Sequence, residues 1–194
     1  MSPALRLDLA EPGCRCQAVS VSEYSTGPIS DDETLIRLLV SPQHRNSQQR
    51  PKAGALADAE RYGLSMFRES TATDQEILDV ATELVSRARQ RNQKNTEEVG
   101  LFGILKIPCL IIRKCQIATE TAPCYCVYDT AMRETPSHAE AFQRVADVEV
   151  PLQEERRRML FGAVERFFVP VADFRSGLLL SLAPGQLPIT PNLT

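Results

Sequence analysis

The chain has 194 residues, which is long enough for one domain with a full hydrophobic core. Its composition, with 43% hydrophobic and 24% charged residues, is that of an ordinary globular protein. The net charge of -3 gives no electrostatic basis for binding nucleic acid or an anionic membrane, and the lack of Trp disfavours an extended base-stacking surface.

The first third of the chain predicts a loose arm followed by short elements. Residues 1–29 show no clear periodicity. The capping-box sequence Ser30–Glu33 precedes a dense apolar run in residues 35–40, which favours a short helix and leaves a strand as the alternative. Residues 53–62 predict a short helix, and residues 63–68 alternate enough for a strand.

The clearest predicted helix begins at Thr73. Thr73 and Glu76 form a second capping box. Apolar residues follow at helical spacing, namely Ile77, Val80, Ala81, Leu84, Val85 and Ala88. Acidic residues crowd the first half of this segment and basic residues its end, which suits the helix dipole.

The second half predicts the centre of the sheet and two further helices. Its apolar segments, residues 99–107, 109–117 and 124–128, are typical of buried strands. A third capping box follows, at Ser137 and Glu140, and predicts a helix to about Ala146. Pro151 suits the first turn of another helix.

These elements predict an α/β or α+β fold with a central sheet of three to five strands, flanked by three to five helices. We expect residues 1–29 to form a loose N-terminal arm and residues 30–150 to form the core domain. Residues 151–194 are expected to form a helix and an apolar arm, which packs on the core or on a partner because so much apolar surface is unfavourable in water.

The start of the chain predicts a cytoplasmic protein. Arg6, Asp8 and Glu11 interrupt the region where a signal peptide would have an apolar core. No apolar run is long enough for a membrane-spanning helix.

Six cysteines are expected to be free thiols, because a reducing compartment disfavours disulfides. Cys14 with Cys16, and Cys124 with Cys126, form two Cys-x-Cys pairs. Four thiolates would suffice for structural zinc, but this spacing is not the usual one, so the question stays open and no metal or cofactor is predicted.

Three residues are candidates for acid–base chemistry. His44 and His138 each follow a Pro by two positions, and His138 is expected at a helix start that favours an anion. Asp129 follows a predicted strand, and strand ends are frequent catalytic positions in α/β folds. The two histidines could serve as acid and base on one phosphate, although each could equally be an ordinary polar residue.

Four basic residues are candidates for binding that phosphate: Arg45, Arg50, Lys52 and Arg68. The first three lie with His44 in the polar segment 41–52, which predicts a surface loop. No phosphate-binding glycine-rich motif, nucleophile elbow or zinc-protease motif accompanies them.

From about Ser30 to Val145 the chain resembles a broad set of short bacterial proteins with no known activity. The shared pattern runs through Asp31–Leu35, Pro42–His44 and Leu64–Arg68, and ends in the Pro-x-His-Ala segment Pro136–Ala139. The resemblance implies neither a function nor site residues.

Two functions therefore remain open. The first is a non-enzymatic interaction or regulatory subunit of a bacterial defence, toxin–antitoxin or mobile-element system, with a protein partner bound through the C-terminal arm. The alternative is a small enzyme that acts on a phosphate-bearing or nucleotide substrate through His44 and His138. A cleft that holds both histidines and Arg68 would favour the enzyme.

Overall fold

A computed structural model of the chain describes residues 14–60, 62–144 and 150–186. The beginning of the N-terminal arm, the predicted helix end near Ala146 and the last residues of the C-terminal arm lie outside the described residues. Within them, no helix is long and apolar enough to cross a membrane.

The fold is built on a six-stranded antiparallel sheet. Its strands are β1 (Thr34–Ser41), β2 (Leu64–Arg68), β3 (Gly100–Pro108), β4 (Tyr125–Asp129), β5 (His138–Gln143) and β6 (Phe168–Pro170). They lie in the order β4-β5-β2-β1-β3-β6. The fold is therefore α+β, and the prediction of three to five strands was wrong.

The flanking helices are α1 (Asp74–Arg91), the short α2 (Cys109–Arg113) and α3 (Val150–Val164), with a 3-10 helix at Ala53–Glu60. The start of α1 is confirmed, because the hydroxyl of Thr73 accepts a hydrogen bond from the Glu76 amide at 3.1 Å. The helix expected around Pro151 is also present.

β1 replaces the helix that was expected over residues 35–40. The Ser30–Glu33 contact does form, since the Ser30 amide donates to the Glu33 carboxylate at 2.8 Å, but it closes a turn before a strand. Nearly every residue of β1 is buried, because the strand is central and covered on both faces. A strand of this kind has a continuous apolar run that local periodicity cannot distinguish from a helix.

β5 likewise replaces the helix predicted from Ser137. The amide and hydroxyl of Ser137 both donate to the Glu76 carboxylate, at 3.0 and 2.8 Å, so the expected capping groups are used in a contact with α1. A third prediction was also wrong, because residues 109–117 begin with α2 and not with a strand.

Apolar layers cover both faces of the sheet. One face packs against α3, α2 and the 3-10 helix, with Leu160 and Ile112 buried there. The other face packs against α1 and against the C-terminal arm, where Val171, Phe174 and Leu179 are buried. The described part of the C-terminal arm therefore contributes to the protein's own core.

Candidate functional site

One polar cluster joins three strands and reaches the surface. His138, at the start of β5, places its Nε2 atom 2.6 Å from the hydroxyl of Ser65 on β2. Its Nδ1 atom lies 2.8 Å from the hydroxyl and 3.3 Å from the carbonyl oxygen of Thr130, which follows β4. His138 is buried and Ser65 is exposed. We call these three residues the His138 cluster.

The register of the sheet explains this arrangement. Ser65 pairs with Glu140, and Phe67 pairs with His138. Side chains two residues apart on a strand share a face, so Ser65 and His138 are diagonal neighbours on one face of the sheet. The strand pairing therefore positions the hydroxyl directly against the imidazole.

The surroundings keep His138 neutral. Burial lowers its pKa below the usual 6.5, against the opposing effects of the Thr130 carbonyl, Asp129 and Glu76. The Thr130 hydroxyl can donate to Nδ1 or accept from it, whereas the carbonyl oxygen only accepts, so the carbonyl favours a proton on Nδ1. Nε2 is then free to accept the Ser65 hydroxyl proton. This is the relation of nucleophile, base and orienting group that covalent catalysis requires.

A cleft of about 660 Å³ opens beside His138. Its lining comes from the N-terminal arm, β5 and the loop after β4, and includes Tyr24, Thr130, Met132 and His138. Three carboxylates, those of Glu23, Glu134 and Glu140, line it with a single guanidinium, that of Arg133. The cleft is therefore negative and disfavours anionic ligands.

Asp129 and Arg68 lie in a second polar cluster, which the protein encloses. Nη1 of Arg68 lies 2.6 Å from the fully buried carboxylate of Asp129, while its Nε and Nη2 atoms each donate to Glu33 at 2.7 Å. Asp129 also accepts from the Ser25 hydroxyl at 2.6 Å. This Arg68 network (Glu33, Arg68 and Asp129) fastens the N-terminal arm to the sheet, and neither Arg68 nor Asp129 lines the cleft.

His44 lies far from His138. Its Nδ1 atom accepts the Val40 amide at 3.1 Å, and burial, followed by the nearby charge of Arg37, lowers its pKa to about 4. His138 is level with Ile36 of β1, whereas His44 follows the end of the strand, about 16 Å further along at ~3.3 Å per residue. The structure thus does not bring the two histidines into one cleft.

The three basic residues of the loop are also dispersed. Arg45 donates to Gln49 at 2.8 Å, and the Arg50 guanidinium lies 5.3 Å from the centre of the Phe168 ring. Lys52 lines a different cavity from that of His138, of about 420 Å³. These positions do not form a common phosphate site.

Three of the cysteines form a cluster of their own. The Sγ atoms of Cys14, Cys16 and Cys126 all lie within 4.8 Å of one another. Cys14 and Cys126 are joined as a disulfide, so the expectation of six free thiols is wrong for this pair. Cys124 lies apart and donates to Glu120 at 3.1 Å.

Sequence reasoning identified His138 but missed its partners. Ser65 and Thr130 belong to no recognisable motif, and only the strand register brings them to the imidazole. No protein-family model, curated protein or solved structure matches the chain. The functional argument therefore depends on the geometry of the site.

Proposed function

We propose that the protein is a serine-dependent hydrolase or acyl-transfer enzyme, with Ser65 as nucleophile and His138 as general base. The observation that carries this proposal is the 2.6 Å contact between the exposed Ser65 hydroxyl and Nε2 of His138. A hydroxyl is a weak nucleophile unless an adjacent base takes its proton during attack.

The cluster supplies the proton transfers of such a reaction. Nε2 of His138 accepts the Ser65 proton as Oγ attacks the carbonyl carbon of the substrate, and the resulting imidazolium then protonates the leaving group. In this reaction the second ring proton stays on Nδ1, and the Thr130 carbonyl oxygen, 3.3 Å away, accepts it and orients the ring. The lowered pKa of His138, which is due mainly to burial, keeps the base unprotonated near neutral pH.

The charges of the cleft favour a neutral or cationic ester or amide as substrate. Glu23, Glu134 and Glu140 outnumber the one cation, Arg133, among the lining side chains. A phosphate group would meet net repulsion there. This proposal changes the enzyme hypothesis, with a serine nucleophile in place of the second histidine and an ester or amide in place of a phosphate-bearing substrate.

The test is covalent labelling with a fluorophosphonate, which reacts with activated serines. Attack by Oγ forms a bond to phosphorus and expels fluoride, while His138 takes the proton. We expect intact-mass spectrometry to show one adduct, which peptide mapping assigns to Ser65. The adduct should be lost in Ser65→Ala and strongly reduced in His138→Gln.

Ser86→Ala is the matched control, because Ser86 is an exposed serine on α1. It should label like the unaltered protein. An unlabelled wild-type chain, or an adduct that persists in Ser65→Ala, would contradict the proposal. Hydrolysis of neutral and anionic nitrophenyl esters then tests the substrate class, and we expect the neutral ester to react faster.

A second proposal is that the C-terminal arm binds a protein partner, as in a regulatory subunit of a bacterial multi-component system. It is supported by Leu180, which is 46% exposed between the partly exposed Leu178 and Leu182. We expect Leu180→Asp to leave the folding transition unchanged while abolishing association with a protein that co-purifies with the unaltered chain. Retained association would contradict this role.

A further inference from the structure

The cysteine cluster contains one sulfur more than its disulfide needs. Cys14 and Cys126 are the bonded pair, while Cys16 is a free, buried thiol within 4.8 Å of both. Cys14 and Cys16 come from one short segment of the N-terminal arm, and Cys126 comes from β4. Three sulfurs from two separate segments thus converge on one point.

This convergence matches the geometry of a thiolate metal centre. Zinc binds cysteine sulfur at about 2.3 Å in a tetrahedron, which places the sulfurs about 3.8 Å apart. Once the disulfide is reduced, the three sulfurs reach that spacing by small rotations of their side chains. Packing alone would not require three sulfurs at a single point.

The cluster also has an opening for a fourth ligand. A cavity of about 210 Å³ is lined by Cys14 and Cys16 together with Gln17, Arg113 and Arg144. Three thiolates on a divalent cation leave a net charge of minus one, which the guanidinium of Arg144 at the cavity helps to offset, while that of Arg113 is already paired with Asp31 at 2.8 Å. Arg113 is held there by the carbonyl oxygen of Cys16, to which it donates at 3.1 Å.

We propose that Cys14, Cys16 and Cys126, in their reduced state, bind a thiophilic divalent cation of the zinc type, with a water or small ligand from the cavity in the fourth position. A dithiol supplies the two electrons and two protons that convert the Cys14–Cys126 disulfide into two thiols. Metal binding then displaces one proton from each of the three thiols to the solvent. When an exogenous disulfide accepts two electrons from the Cys14 and Cys126 thiolates and, with two protons, becomes two thiols, the Cys14–Cys126 bond forms again and the metal is released, so the site also responds to redox conditions.

The experiment uses the full chain, reduced anaerobically with dithiothreitol and desalted, and then titrated with Co²⁺. We expect an intense near-ultraviolet sulfur-to-cobalt charge-transfer band that saturates at one Co²⁺ per chain and disappears when Zn²⁺ is added. Zn²⁺ should also raise the melting temperature of the reduced protein, because it binds the folded state, where the three sulfurs converge, more tightly than the unfolded chain.

Cys16→Ser and Cys14→Ser should both lose the band, whereas Cys115→Ser, a matched change at a buried cysteine outside the cluster, should keep it. Cys14 is only partly buried, so its variant tests the site even where Cys16→Ser unfolds. Absence of the band in the reduced wild type overturns the proposal. So does a band that survives in both Cys14→Ser and Cys16→Ser. Labelling of Ser65 is independent of this result.

Discussion

The Arg68 network and the His138 cluster are built on the same strands but lie in opposite environments. Arg68 and Ser65 are three residues apart on β2, so they point to opposite faces of the sheet. Every member of the Arg68 network is at least largely enclosed, and each of its two carboxylates contacts the Arg68 guanidinium. The His138 cluster instead includes the exposed residue Ser65, and its other two members, Thr130 and His138, line a cleft.

This difference separates a structural polar cluster from one that can do chemistry. The guanidinium of Arg68 donates to two carboxylates and to the Gly27 carbonyl, which leaves it little capacity for a ligand. The Ser65 hydroxyl has one strong partner inside and solvent outside. A reacting group needs this combination of a fixed base and an accessible atom.

The largest expected loss of stability follows from removing the guanidinium of the Arg68 network. Arg68→Met leaves the carboxylate of Asp129 buried without its cation, and we expect a loss of about 3–5 kcal/mol in the free energy of unfolding. Urea denaturation at neutral pH measures it. Arg87→Met is the matched control, because the Arg87–Glu83 pair is exposed on α1 and should contribute at most about 1 kcal/mol. Similar losses in the two variants would show that the network is not structural.

A smaller effect on stability is expected from His44, which is buried and whose ring accepts the Val40 amide. Its pKa is lowered from 6.5 to about 4, mainly by burial, so the unfolded chain takes up a proton that the folded chain does not. Proton uptake by the unfolded chain has no effect above pH 6.5. As the pH falls from 6.5 to about 4 it lowers the free energy of unfolding, by about 3 kcal/mol in total.

His44→Asn tests this, because an amide oxygen can still accept from the Val40 amide but does not titrate in this range. We expect the urea midpoint of the wild type to fall more steeply than that of the variant between about pH 7.5 and about pH 4.5, roughly the range over which a histidine titrates. Since both proteins keep His138, the difference between them isolates His44. Parallel declines would contradict the lowered pKa of His44.

The sequence contained three capping boxes of the same form, and only that at Thr73 begins a helix. The pattern at Thr73 is followed by apolar residues at helical spacing, and one face of α1 is buried. After Ser30 and Ser137 the chain is covered on both faces, and strand pairing decides its conformation. The local sequence pattern therefore predicted the element correctly where one face of that element meets solvent. It failed where tertiary packing covers both faces of the element.

The candidate site could be predicted only in part for a related reason. His138 stood out because the chain has two histidines, but its expected position at a helix start was wrong. The contact with Ser65 spans 73 residues of sequence and depends on the register between β2 and β5. The cysteine cluster likewise joins residues 112 apart, which spacing alone does not reveal.

The smallest expected change in stability is that of Ser65→Ala, and this variant gives the sharpest test of the difference between the enclosed Arg68 network and the open His138 cluster. Ser65→Ala removes an exposed hydroxyl whose imidazole partner can be satisfied by water, so we expect the free energy of unfolding to change by no more than about 0.5 kcal/mol. Ser137→Ala is the same chemical change in an enclosed position, and it takes a donor from the buried Glu76 carboxylate. That loss should cost about 1–3 kcal/mol, since hydrogen bonds to charged groups contribute most. Urea denaturation curves of the two variants, measured together, give the difference between their free energies of unfolding. If Ser65→Ala were the more destabilising of the two, its hydroxyl would serve the fold, and the contact with His138 would lose its value as a sign of catalysis.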